Sequence, residues 1–128
     1  MGFYKKQKGE FGNMFNTNLD FDPIPEKINL AGVTFENRQT IISKLKKGSK
    51  VKLVRDYCNK YDKNAIKVIT NYNNKNIQIG WIPKQFAEIL APEIDANINW
   101  NGKISEILGG TKDKETYGIL IEIYYIIN

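Results

Sequence analysis

The sequence predicts a mainly β domain: a small, curved antiparallel sheet of about six strands, closed into a barrel and carrying two short helices. Three observations point there. Apolar and polar residues alternate in several short runs, as in Lys50-Val51-Lys52-Leu53-Val54-Arg55, which is the period of a strand with one buried face. The strand runs are joined by turn-length connections, which suit antiparallel neighbours rather than parallel crossovers. Only two segments carry helical spacing, too few to cover a parallel α/β sheet. At 128 residues, with 41% hydrophobic and 12% aromatic residues, the chain has the material for one domain with its own core.

In chain order, residues 1 to 26 form an aromatic and polar arm. Phe3, Tyr4, Phe11, Met14 and Phe15 recur there without a period of 2 or 3.6, and Asp22-Pro23-Ile24-Pro25 enforces an extended connection. The domain proper is expected over residues 27 to 128. Ile28 to Phe35 reads as a first strand, with Gly32 marking a bulge or a close backbone approach. Glu36-Asn37 offers a helix start, Ile41, Ile42 and Leu45 carry helical spacing, and Gly48 is the stop. Lys50 to Arg55 and Ala65 to about Asn71 are strands. The composition of Asn71-Tyr72-Asn73-Asn74-Lys75-Asn76 is that of a hairpin turn, and Ile77 to Ile82 returns from it. Pro83 suits the first position of a second helix, expected from Lys84 to Leu90 and ended or kinked by Pro92. Trp100 to Leu108 and Tyr117 to Ile127 make a last strand pair, joined through Gly109-Gly110.

Composition excludes several kinds of chemistry. The chain has no histidine and one cysteine, Cys58, so His-based triads, zinc ligand sets and an internal disulfide are out. No glycine-rich phosphate loop appears. No apolar run approaches the roughly 20 residues that span a bilayer, and the N-terminus lacks the apolar stretch of a signal peptide, so a cytoplasmic location is expected. Catalysis would rest on carboxylates, Lys or Tyr alone, which makes an enzyme the weaker expectation. No cofactor is expected.

Charge is unevenly spread. From Arg38 to Lys67 there are ten Lys/Arg against two acids, Asp56 and Asp62, a balance of +8; the remainder carries nine basic and twelve acidic residues, or −3. A basic block on a mildly acidic chain is the footprint of a polyanion binder, and its plain alternative is a solvated lysine face.

The most informative stretch is Asn59-Lys60-Tyr61-Asp62-Lys63-Asn64-Ala65-Ile66-Lys67-Val68. Asn-x-Tyr-Asp-x-Asn is turn chemistry, because Asn and Asp side chains bond nearby backbone. A polar loop anchored to the start of a strand is a usual place to hold a ligand accurately.

With Leu30-Ala31-Gly32-Val33-Thr34-Phe35, Leu53-Val54-Arg55 and Ile79-Gly80-Trp81-Ile82-Pro83, that stretch resembles the HIRAN domain in wording, order and spacing, over roughly residues 28 to 128. Such domains stand at the N-termini of fork-remodelling ATPases and also occur alone in bacteria and phages. With no room here for a helicase motor, the stand-alone form is expected. The resemblance implies an OB-like barrel that captures single-stranded DNA, with preference for a free 3′-hydroxyl end.

Under that resemblance Phe35 and Tyr61 match stacking aromatics; the alternative for each is core packing. Asp62, an acid inside a basic block, is out of place in a generic phosphate groove but suits an acceptor for the terminal hydroxyl of such a site, and would reject a 3′-phosphate; its alternative is a turn cap. Asn59 can meet a base edge or shape the turn, and Asn64 braces the loop. Arg38, Lys60, Lys63, Trp81 and Lys84 are the candidates for backbone phosphates, Lys84 because it opens a helix. The Trp81 ring can equally be core. Thr34 stands where the eukaryotic remodellers have an arginine, so one phosphate contact weaker than theirs is expected. For the family's further aromatic near the C-terminal strands, Tyr117 is the candidate.

The expected function is therefore non-catalytic binding of single-stranded DNA 3′ ends in repair or replication, with a helicase, nuclease or replication protein as a possible partner. The alternative is a protein-interaction barrel that recruits a nuclease or replication partner through its arm. A cryptic nuclease would need a third acid beside Asp56 and Asp62.

Overall fold

The structure, a computed structural model, describes residues 27–35 and 37–125. The expected arm, residues 1 to 26, lies outside the described residues, as do Glu36 and residues 126–128. Within them run β1 (Lys27–Asn29), α1 (Arg38–Ile42), β2 (Lys50–Arg55), β3 (Ile66–Tyr72), β4 (Lys75–Trp81), α2 (Lys84–Asp95), β5 (Trp100–Gly109) and β6 (Tyr117–Tyr125). The six strands form one sheet in the order β1-β6-β5-β2-β3-β4, antiparallel throughout.

The strand count and the two helices match the reading of the sequence, but the closed barrel does not. β1 and β4 remain edges of an open sheet. They are linked by one bridge, in which Ala31 N–H donates to Trp81 O and Trp81 N–H to Ala31 O, both at 2.9 Å. β1 ends at Asn29, and after the bridge at Ala31 the φ of +67° at Gly32 turns the chain away, so the strand expected from Ile28 to Phe35 does not continue along β4. A Cβ on Gly32 would stand 2.7 Å from Trp81 Cδ1, and one on Gly80 would stand 2.8 Å from Ala31 O. Both glycines are required by close approach at this seam.

Beyond the bridge, α1 and a side chain take over from the missing strand. α1 packs beside β4 and β6. Gln39 Nε2 donates to Val33 O (2.9 Å) and Tyr117 O (3.0 Å), while Tyr117 N–H donates to Gln39 Oε1 (2.7 Å). Its carboxamide supplies to the start of β6 the donor and acceptor that a paired strand residue would. The helix is shorter than expected and ends at Ile42. Past that point Leu45 is the one apolar residue before Gly48, and Lys44, Lys46 and Lys47 are exposed.

α2 is longer than expected. Pro83 is its N-cap (φ −56°, ψ 145°) rather than its first helical residue, and the helix passes through Pro92 to Asp95. The hydrogen bond lost at Pro92 is offset by burial, since Ala87, Leu90 and Ala91 are fully enclosed and Ile94 packs on the core. Trp100 Nε1–H donates to Glu93 Oε1 at 2.7 Å and ties the last turn to β5.

The β3–β4 hairpin turns at Asn73 (φ 52°) and Asn74 (φ 64°), both left-handed, as the two-residue turns that fit strand twist require. Alternation in β2, β3 and β6 then buries Val51, Leu53, Ile66, Val68, Ile119, Ile121 and Ile123 in one core with Ile28, Ile42, Leu90 and Trp100.

Candidate functional site

An open groove of about 510 Å³ lies at the seam, lined by Phe35, Arg38, Asn59, Tyr61, Asp62, Ala65, Trp81 and Ile82. Six of these were singled out from sequence. Three separate pieces of chain supply them: the turn after Gly32 with the start of α1, the loop from β2 to β3, and the end of β4.

The loop is held by its own short polar side chains. Asp56 N–H donates to Ala65 O across its neck at 3.0 Å. Asn59 Oδ1 accepts from the Tyr61 and Asp62 N–H groups, each at 2.9 Å, and Asn59 Nδ2 donates to Asp56 Oδ2 at 3.3 Å. Asp62 Oδ1 accepts from Asn64 N–H at 2.9 Å. Asn59 therefore shapes the turn. Asp62 is a cap through one oxygen; no hydrogen bond among the described residues engages its Oδ2. The result is a rigid loop that leaves Tyr61 92% exposed, which removes the core alternative for that ring.

Arg55 braces the loop from below, a role that counting charges could not reveal. Its Nη1 donates to Ala65 O (2.8 Å), its Nη2 to Lys63 O (3.0 Å) and its Nε to Asp95 Oδ1 (3.0 Å) at the end of α2. Tyr57 O–H donates to the same Asp95 oxygen at 2.6 Å, and the Arg55 guanidinium lies 4.6 Å from the Tyr57 ring centroid. These bonds, from Tyr57 first and then Arg55, hold the Asp95 carboxyl below its ordinary pKa. The bond to Asp95 raises the pKa of the Tyr57 hydroxyl.

On the opposite wall Phe35 is 60% exposed, so it too is not core. The strand that would have enclosed it ends before Gly32. Arg38 is only 7% exposed; its Nη1 donates to Gly32 O at 2.7 Å, and its guanidinium stands 5.8 Å from the Phe35 centroid. The Trp81 ring is half-buried against Gly32.

The other sequence candidates lie outside the lining. Thr34, Lys60, Lys63 and Lys84 are exposed, and Asn64 is half-buried. Tyr117 is half-buried at the start of β6, packed on the core. Ala65 and Ile82, buried residues that floor the groove, lie within the stretches quoted from sequence but were not assigned to the site, because small or apolar residues in strands carry no functional signal of their own. Among the described residues no three His, Cys, Asp or Glu side chains gather to hold a metal, and no helix is long and apolar enough to cross a membrane.

The groove can therefore offer two exposed aromatic rings, a guanidinium, an indole and one carboxylate in a single concavity. Comparison with known proteins gives this arrangement a family. The model of the HIRAN domain family matches residues 27–124. No curated protein matches the chain. Among solved structures, the HIRAN domain of human HLTF superposes with a TM-score of 0.58 and 26% identity, covering 77% of this chain and 72% of that one. A protein from Lactobacillus plantarum superposes with a TM-score of 0.57, covering 78% of this chain and 93% of that one; at 19% identity the likeness is one of fold.

Proposed function

The chain belongs to the HIRAN domain family, and on that premise we propose that its groove binds single-stranded DNA at a free 3′-hydroxyl end. One observation carries the reading: Phe35 and Tyr61, 60% and 92% exposed, stand in one groove with a single carboxylate, Asp62. Large exposed rings beside polar groups are what bases stack on, at about 1–3 kcal/mol per base and with little regard to sequence. The Trp81 indole N–H supplies a donor for a phosphate, Arg38, held at the Gly32 carbonyl, adds fixed positive charge behind it, and Lys60 and Lys63 raise the local potential.

Asp62 sets the end preference. Its Oδ1 is occupied by the loop, which leaves Oδ2 to accept from a terminal hydroxyl, while a terminal phosphate meets a like charge. The module acts by binding alone. Free 3′ ends arise where replication or repair interrupts a strand, and that is its proposed setting.

Fluorescence anisotropy with 5′-labelled oligonucleotides ending in a hydroxyl or a phosphate tests the reading. A hydrogen bond to a charged group contributes about 1.5–3 kcal/mol, so preference for the hydroxyl end should be about 10- to 100-fold. Asp62→Asn keeps an acceptor for the Asn64 N–H but removes the charge, and should erase most of that preference. Equal affinity of the unaltered chain for both ends would sink the proposal.

A further inference from the structure

We propose that Lys67, Lys52 and Lys50, on the outer face of the sheet, form a phosphate track that carries the bound strand away from the groove. This rests on the groove being the site of the strand end.

The strand register places the track. Trp81, on the groove wall, pairs with Lys67, and Lys67 pairs with Val54 across β3 and β2. Lys52 pairs with Ile69 in the next outward-facing row. Directly paired residues share a face, and residues two apart along a strand return to it. The opposite face of β2 and β3 is the core: Val51, Leu53, Ile66 and Val68 are buried, whereas Lys50, Lys52 and Val54 are exposed and Lys67 is half-buried. The three ammonium groups therefore rise from one solvent face that begins at the groove.

Their spacing suits a nucleotide backbone. Two residues along a strand cover about 7 Å, which separates Lys50 from Lys52. The diagonal from Lys52 to Lys67 is about 7–8 Å, and Lys67 to its partner Trp81 is about 5 Å. A strand in a stacked duplex advances about 3.4 Å per phosphate, and one pulled out straight advances about twice that. Successive phosphates of an extended strand leaving the groove would meet successive lysines.

Charge distinguishes this face from an ordinary solvated one. Soluble surfaces intersperse both signs. Here no carboxylate pairs with Lys50, Lys52 or Lys67 among the described residues. The adjoining strands β5 and β6 carry two acids, Glu106 and Glu122, and Glu122, in the same row as Lys50, is engaged by Lys103 at 3.8 Å. Lys50 sits directly opposite Lys103, whose charge Glu122 already offsets, so Lys50, Lys52 and Lys67 are the cations of this face left for a polyanion.

The test compares three- and nine-nucleotide oligothymidylates with 3′-hydroxyl ends, on the unaltered chain, on K50Q/K52Q/K67Q and on K50R/K52R/K67R. Three phosphate contacts to a single strand contribute a salt slope of about −2, so raising salt from about 0.05 M to 0.2 M should weaken the nonamer on the unaltered chain about 20-fold more than on the Gln variant. The Arg variant should keep the full slope, and the trimer should bind all three alike. A nonamer no tighter than the trimer on the unaltered chain, or a Gln variant with an undiminished slope, overturns the track and leaves the groove standing. Failure of the trimer itself to bind overturns the groove reading, and the track with it.

Discussion

Substituting alanine at Gly32 probes the seam most directly, because Gly48 supplies an internal control. Both glycines have positive φ, +67° and +92°, so alanine at either strains the backbone by about 1–2 kcal/mol. Their surroundings differ. Around Gly48 nothing lies within 4 Å of an added Cβ, whereas at Gly32 that atom would stand 2.7 Å from Trp81 Cδ1. Forcing a methyl into such a contact costs about 1–3 kcal/mol more. Gly48→Ala should therefore lower stability by about 1–2 kcal/mol and Gly32→Ala by about 2–5, read from urea unfolding followed by circular dichroism. Only Gly32→Ala displaces the Trp81 wall, so only it should weaken oligonucleotide binding in the folded protein. Equal losses from the two substitutions would mean that Trp81 yields freely. The seam would then not be a fixed wall.

Tyr61→Ala should leave stability within about 0.5 kcal/mol, as exposed side chains do. It should nevertheless weaken DNA binding by about 1–3 kcal/mol, the contribution of one stacked base; anisotropy and urea unfolding on the same sample separate the two. Arg55→Lys keeps the charge but loses the fork that reaches the Lys63 and Ala65 carbonyls, and should cost about 1–2 kcal/mol while speeding amide exchange across residues 56–65. Because the folded Asp95 carboxyl is held below its ordinary pKa of 3.8, its contribution is complete above that pH and is lost as pH falls through the lowered value. Asp95→Asn should flatten that acid-side loss of stability in urea midpoints measured against pH.

Local signals carried most of the fold. Lys50–Arg55 forms the strand its alternation predicts, and the asparagines at 73 and 74 make the turn their tolerance of positive φ allows. Tertiary context decided the rest. Pro92 ends a helix by local rules, yet burial of Leu90 and Ala91 carries α2 past it. The basic block was legible as a sum but not as separate tasks. Arg38 and Arg55 are mostly enclosed and hold backbone carbonyls, whereas Lys50 and Lys52 are exposed. Counting charge treats these residues alike; a planar fork with fixed donors and a flexible ammonium are not interchangeable. Within the loop, Asn59 and Asp62 were recognised as turn formers, but the division of labour between the two Asp62 oxygens is a matter of geometry that spacing does not encode.

The failure of the sheet to close is what creates the groove. Had the ladder begun by Ala31 and Trp81 continued, Val33 and Phe35 would have faced successive residues of β4 in strand geometry. Continued pairing would have turned the seam into an unbroken wall. Gly32 ends the pairing after one bridge, and three consequences follow from that single turn. Phe35 is left standing at the rim, 60% exposed. The Gly32 carbonyl becomes available to the buried Arg38 guanidinium, which is thereby fixed beside the ring. The Trp81 indole packs where a Cβ on residue 32 would otherwise sit. The opposite rim, carrying Tyr61 and Asp62, is set independently by the Asn59 and Arg55 hydrogen bonds. Two rims fixed by unrelated means can hold a constant separation without a ligand to order them. Such preorganisation lowers the entropic cost of capturing a flexible strand end.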